Sequence, residues 1–331
     1  MTATPTSTPS CAYASRGGAP CPEPAQGRAG LCFWHDPACA KVGAEIKPRL
    51  EALAREDRSL EGYVLRGADL RDVHLTFGDT RRRVNLSHAD LSRTNLADGH
   101  LFNIDLRGAN LMKASLNGAN LNSAYLDGAN LLGTEFDGAR LERVHWGRHL
   151  HQELLAHQAF REGREEQALT LYGEAEVIYR VLTGVAERAG HHAIAGHFYR
   201  NEKIMRRMQM PMWSRDRAWS KLVDLLCGYG EETDRVIAFS LLVIVLCAAG
   251  YFLLGVRGPE GELVLNPQLG VVRNLLTYGE CVYFSVITFT TTGYGDVTPI
   301  GIARLLSMLE AFTGQFSISL FVVVFVRKMM R

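Results

Sequence analysis

The 331-residue chain has almost no net charge, with 36 Lys and Arg against 35 Asp and Glu, so it offers no electrostatic ground for binding nucleic acid or a strongly charged partner. The first ten residues have neither a basic start nor an apolar core, so we do not read them as a secretory leader, and we expect the N-terminal part to stay inside the cell. Paired carboxylates, a nucleophile triad and a phosphate-binding glycine loop are all missing from any supporting context, so we expect no enzyme and no catalytic residues. Cysteines number seven, and in a reducing compartment they point to metal or to nothing rather than to disulfides.

The chain is strongly divided. Residues 1 to 230 are polar and repetitive, whereas residues 236 to 256 and 305 to 326 are apolar runs interrupted by one ionisable residue, Glu310. Both are long enough to cross a bilayer. Arg206, Arg207, Arg215, Arg217, Lys221 and Arg235 precede the first run, and Arg327, Lys328 and Arg331 follow the second. By the positive-inside rule both termini are expected in the cytoplasm, with the chain multi-pass in the cell membrane. Neither run is rich in arginine, so nothing here senses voltage directly.

Along the chain, residues 1–10 read as a disordered tail and 11–45 as a Cys/His segment dense in Gly and Pro. Within that segment Cys11, Cys21, Cys32 and His35 make a ligand set for a structural tetrahedral zinc, with Cys39 spare or substituting. A thiol redox sensor and a metal-free surface segment stay open as alternatives. Residues 46–62 have the composition of a linker helix. Residues 148–212 carry helical periodicity broken at Gly190, two or three helices read as a hairpin linker resembling one tetratricopeptide-like unit or as a plain spacer. Residues 213–232 read as an amphipathic helix suited to the membrane surface, with Trp213, Trp219, Leu222 and Leu226 beside basic neighbours.

Residues 63–147 repeat every five. Leucine recurs at Leu86, Leu91, Leu96, Leu101 and onward to Leu141, with a small residue such as Ala109, Ala114 or Ala119 two places earlier. A period of five fits neither a helix nor a flat strand. Ala109-Asn110-Leu111-Met112-Lys113 and Ala119-Asn120-Leu121-Asn122-Ser123 resemble the pentapeptide-repeat family. The resemblance implies a right-handed quadrilateral β-helix, four pentapeptides to a coil, with leucine central on each side. Sixteen repeats would stack about 20 Å tall in about four coils, and the eleven-residue step from Leu75 to Leu86 suggests one extra residue near Gly78 to Arg83. The open ends of such a rod need caps. Some relatives mimic DNA, but ten Asp and Glu against ten Lys and Arg in residues 63–147 lack the required acidity.

Between the apolar runs, in residues 233–331, lies Thr288-Phe289-Thr290-Thr291-Thr292-Gly293-Tyr294-Gly295-Asp296, which closely resembles the potassium-channel selectivity filter. The resemblance implies an all-α pore of two spans and a re-entrant pore helix, expected at Tyr278 to Phe289, assembled as a homotetramer in a lipid bilayer. Dehydrated potassium ions would lie in cages of backbone carbonyls from Thr291, Thr292, Gly293 and Tyr294, with Thr291 adding its hydroxyl and Gly295 and Asp296 shaping the outer mouth. The glycines tolerate the alternating backbone hand this needs. Thr292 stands where Val or Ile is usual, and its hydroxyl must find a partner. Tyr283 and Phe284 stand where many relatives have paired Trp. Phe284 therefore leaves Tyr294 without a donor, while Tyr283 is placed to reach Asp296. Thr288 and Glu310 are further supports, Glu310 facing the back of the filter. Gly314 reads equally as a gating hinge or a close-packing site, and Ser317 and Ser319 either line the cavity or bond back to their own helix. The expected function is passive, potassium-selective conduction modulated by the cytoplasmic domains, with the gating ligand or partner unknown. A less selective cation channel and a membrane-tethered scaffold are the alternatives.

Overall fold

In the computed structural model, residues 10–26, 29–77, 82–259 and 261–329 are described. The polar tail before Ser10, the stretch 78–81 and Arg331 lie outside them. The chain divides into two units, Met1–Met210 and Pro211–Arg331.

The leucine row is what the first unit buries. Leu111, Leu116 and Leu121, with the small residues Ala109, Ala114, Ala119 and Ala124, have no exposed surface, each leucine contributing about 1.5–3 kcal/mol by leaving water. Successive coils are joined by parallel bridges: Asn85 pairs with Asp105, Asp90 with Asn110 and Asn110 with Asn130. The twenty-residue register means four pentapeptides per coil. Corners fall two residues after each leucine, where the chain takes positive φ at His88, Arg93, Asp98, Gly108, Gly118 and Gly128, so Gly and Asp recur there. A side-chain ladder runs up one face, Asn130 Nδ2 donating to Asn110 Oδ1 and Asn110 Nδ2 to Asp90 Oδ1, each at 3.1 Å.

Two boundaries differ from expectation. Val64 pairs with Asp90, Asp69 with Asn95 and His74 with His100, so this coil is six residues longer than the others, not one. The gap from Leu75 to Leu86 spans a single side of the coil. The linker helix is shorter than 46–62: α1 (Ile46–Arg55) stops because Asp57 takes φ 64° and the Arg58 N–H returns to the Leu53 carbonyl. The ladder then begins at Leu60, whose N–H donates to the Asn85 carbonyl at 2.9 Å. Ile46, Leu50 and Ala54 of α1 cover this end of the leucine column.

The other end is covered by three helices, α2 (His151–Arg161), α3 (Glu165–Arg188) and α4 (His192–Met208), with Gly163 and Gly190 turning between them at positive φ. Gln152 of α2, 2% exposed, extends the side-chain ladder by donating to Asn130 Oδ1.

The second unit opens with α5 (Arg215–Cys227), capped by Ser214 accepting from the Arg217 N–H. Trp213, Trp219 and Leu225 are exposed on this segment. Gly228 in the left-handed region ends α5 and turns the chain. Three helices follow: α6 (Thr233–Leu254), α7 (Gly270–Phe289) and α8 (Ala303–Met329). Among the described residues, α6 and α8 are the two long and apolar enough to cross a membrane. α7 starts at Gly270, eight residues before the expected Tyr278. Asn274 donates to the Asn266 and Gly270 carbonyls at 2.8 and 3.0 Å, fastening an additional first turn. Strands β1 (Val256–Gly258), β2 (Gly261–Leu263) and β3 (Thr298–Pro299) form a small sheet ordered β2-β1-β3. It ties the end of α6 to the segment after the glycine motif, Val256 opposite Pro299 and Arg257 opposite Thr298.

At the other end of the unit, Arg327 of α8 pairs with Glu231 at 3.2 Å. Arg235 pairs with Glu232 and donates to the Asp224 carbonyl at 2.9 Å. Beneath these charges Cys227, Val236 and Val324 form a buried cluster. The elbow between α5 and α6 is therefore fastened to the last turns of α8.

Candidate functional site

α7 ends at Phe289 and hands its last carbonyls to the segment that follows. Thr291 N–H donates to Thr288 at 3.0 Å, and Thr292 and Gly293 N–H both donate to Ile287, at 2.9 and 3.2 Å. This turns the segment's N–H groups toward the helix. Among the described residues, no donor reaches the carbonyl oxygens of Thr291, Thr292, Gly293 or Tyr294. Their φ angles alternate in hand: Thr291 (55°), Gly293 (53°) and Gly295 (82°) are left-handed, while Thr292 and Tyr294 between them are not. Glycine takes this conformation freely, but in Thr291 it is strain of order 1–3 kcal/mol, the kind stored at working sites. The segment is exposed, Tyr294 at 72%, so the chain presents a row of unpaired carbonyls with nothing of its own to face them.

Two side-chain bonds brace this row. Thr290 Oγ1 donates to the Val286 carbonyl at 2.8 Å and lies 2.8 Å from Thr292 Oγ1. Since the single Thr290 proton is committed to Val286, Thr292 is the donor to Thr290. Tyr283 Oη donates to Asp296 Oδ2 at 2.8 Å, and Asp296 Oδ1 accepts from the Val297 N–H at 3.1 Å. Phe284 points elsewhere. It is 5% exposed and meets Tyr251 of α6 edge-on, 4.7 Å between centroids.

Behind α7 a polar knot joins all three helices. Glu310, 1% exposed on α8, accepts from Tyr251 Oη of α6 at 2.6 Å and is hydrogen-bonded to the Ser285 hydroxyl of α7. Ser285 also reaches the Ile244 carbonyl at 2.9 Å. Tyr251 and Ser285 were not among the residues singled out from the sequence. Ser285's signal is a lone hydroxyl within an apolar stretch, which does not name its partner. Gly314 is buried four residues further along α8. A β-carbon there would strike the Phe289 carbonyl. Close approach of two helix backbones thus explains glycine at this point, and the hinge reading is not needed. Ser319 bonds back to the Gln315 carbonyl at 2.8 Å, whereas the Ser317 hydroxyl is buried without a partner among the described residues.

A second cluster lies in the first unit. Cys11, Cys21, Cys32 and His35 are all buried, their ligand atoms within 4.8 Å of one another. The separations are 3.7 Å for Cys11 Sγ to His35 Nδ1, 3.9 Å for Cys21 Sγ to Cys32 Sγ and 3.2 Å for Cys32 Sγ to His35 Nδ1. Tetrahedral zinc with bonds of about 2.0–2.3 Å sets donors roughly 3.5–3.8 Å apart, so the set fits. His35 Nε2 donates to the Glu61 carbonyl at 2.9 Å, leaving Nδ1 free toward the sulfurs, the outer hydrogen bond such ligands carry. Tyr13 stacks on the imidazole at 3.8 Å, and the Cys32 N–H donates to Cys11 Sγ at 3.2 Å. Cys39 stands apart, donating to Asp36 Oδ2 at 3.5 Å. Burial pushes the Cys32 thiol up to about 12, whereas the Cys11 thiol, which burial alone would raise, is lowered by hydrogen bonds from the backbone of Tyr13 and Cys32.

Comparison with known proteins places families on both units. Residues 238–331 match the ion channel family, and residues 104–143 match pentapeptide repeats in eight copies. The protein LctB of Bacillus caldotenax is 30% identical over 79 residues, 24% of this chain and 58% of that protein. LctB of Geobacillus stearothermophilus matches equally over 52% of its length. The chain thus spans little more than half of these relatives. Among solved structures, HetL, a pentapeptide repeat protein involved in heterocyst differentiation regulation in the cyanobacterium Nostoc, is 35% identical over 27% of this chain and 38% of its own, with a TM-score of 0.24. Another Nostoc pentapeptide repeat protein is 28% identical over 30% of this chain and 84% of its own, with a TM-score of 0.22.

Proposed function

We propose, for a chain that joins an ion channel domain at residues 238–331 to pentapeptide repeats at residues 104–143, that it is one subunit of a potassium-selective channel. The observation that carries this reading is the alternation of hand from Thr291 to Gly295 with the intervening carbonyls left unpaired. Four copies around one axis would close these rows into cages that replace the hydration shell of potassium. The homotetramer would sit in the cell membrane with α6 and α8 spanning it, α7 re-entrant, and both termini in the cytoplasm. Conduction is passive and employs no catalytic residue. The pentapeptide repeats would form a right-handed quadrilateral β-helix in the cytoplasm. One structural zinc per subunit on Cys11, Cys21, Cys32 and His35 would hold the segment preceding it, supplying folding energy rather than chemistry.

The test is the reversal potential of purified protein in planar bilayers under asymmetric potassium and sodium. A value near the potassium equilibrium potential supports the reading. A value near zero favours a weakly selective cation channel, for which Thr292 is the specific ground. Absence of current with a correctly assembled tetramer favours a membrane-tethered scaffold.

A further inference from the structure

The long first coil creates a second cluster of metal-binding side chains, remote in sequence from the cysteines. His74 and His100 hold the same ladder position on consecutive coils, and their rings stack at 4.3 Å with an 11° interplanar angle. Stacking follows from the ladder alone. The ladder does not account for Asp72, whose Oδ1 lies 3.6 Å from the Nε2 atoms of both His74 and His100. The other carboxylate oxygen, Oδ2, is held by Lys47 of α1 at 3.5 Å, so Oδ1 is the oxygen left to face the imidazoles. Glu51 of α1 accepts from the His74 N–H at 2.9 Å, fixing the backbone that carries the first imidazole. Arg71, the nearest other cation in sequence, is engaged by Asp98.

We infer that Asp72, His74 and His100 form a surface site for a divalent first-row transition metal, zinc in the first instance. Each imidazole Nε2 lies 3.6 Å from Asp72 Oδ1, a separation that subtends about 118° at an ion with bonds of about 2.1 Å; because the rings stand within 11° of parallel, binding turns one half-exposed imidazole so that both in-plane lone pairs meet the ion. Two neutral imidazoles and one carboxylate suit zinc, nickel or copper over calcium or magnesium. Three ligands leave coordination positions for water, and with half-exposed side chains the site exchanges its ion with solution. The metal bridges the coil that precedes the six-residue insertion to the coil that follows it. Occupancy thereby follows the free metal concentration, whereas the buried Cys/His cluster is a permanent fixture.

The experiment is equilibrium dialysis of the full-length protein in detergent against graded zinc, with metal counted by elemental analysis. Two classes are expected in the wild type. Cys32→Ser removes the tight class only, and His74→Asn combined with His100→Asn weakens the second class at least tenfold while leaving the first. Asp72→Asn weakens the second class without touching either imidazole, and circular dichroism of each variant establishes that the coils remain. A second class that persists unchanged in these variants, or that never appears up to millimolar zinc, overturns the site.

Discussion

Thr292 and Tyr283 each attach a single hydroxyl to the carbonyl row, and each can be removed without changing shape. Tyr283→Phe deletes the bond to Asp296. A bond to a charged acceptor is worth about 1.5–3 kcal/mol when sheltered and less where solvent competes, so we expect currents that decay several-fold faster under sustained opening, measured as macroscopic inactivation. Thr292→Val deletes the bond to Thr290 but keeps the branched outline, and Thr290 keeps its bond to Val286. The expected outcome is a reversal potential equal to, or closer to, the potassium value. A shift toward zero would mean that the hydroxyl itself holds the proposed filter. Both residues were visible in the sequence, Thr292 inside the nine-residue motif and Tyr283 five residues before it. Their partners were only half visible: Thr290 lies two residues from Thr292, but which hydroxyl donates depends on the helix end that consumes the Thr290 proton.

Contacts between elements were hidden for a different reason. The repeat in residues 63–147 shows its leucines because burial recurs at a fixed interval, but an eleven-residue gap fits two sides plus one residue as well as one side plus six. The pairings of Val64 with Asp90, Asp69 with Asn95 and His74 with His100 decide. Likewise Glu310 announces itself as an ionisable residue in an apolar helix, yet Tyr251 and Ser285 belong to two other helices. Glu310→Leu strands the Tyr251 hydroxyl at a cost of about 1–3 kcal/mol while Ser285 keeps the Ile244 carbonyl, whereas Glu310→Gln keeps an acceptor for Tyr251. The thermal unfolding temperature should fall clearly for the first and modestly for the second. Gly314→Ala forces α8 away from the end of α7. Overpacking costs about 1–3 kcal/mol or more where backbone must move, so we expect loss of the proposed tetramer by size-exclusion chromatography, where a mere hinge would leave assembly intact and alter only opening.

For the molecule as a whole, acid should act first on the repeats. Burial alone would raise Asp105, but hydrogen bonds and charge from Arg107 outweigh it and hold the carboxyl below the usual carboxylate range. A carboxyl depressed in the folded state contributes stability that is full above about pH 4 and is lost as pH falls further. Circular dichroism of the full-length protein should show the repeats losing stability below that pH, and Asp105→Asn should flatten the dependence while lowering stability at neutral pH. The fastening of the α5–α6 elbow to α8 carries a consequence of a mechanical kind. Arg327 and Val324 lie near the end of one span, and Glu231, Cys227 and Val236 at the start of the other. A torque arriving through α5 therefore loads both spans at one point and at once, so the pair moves as a crank with a single bearing instead of two levers with slack between them.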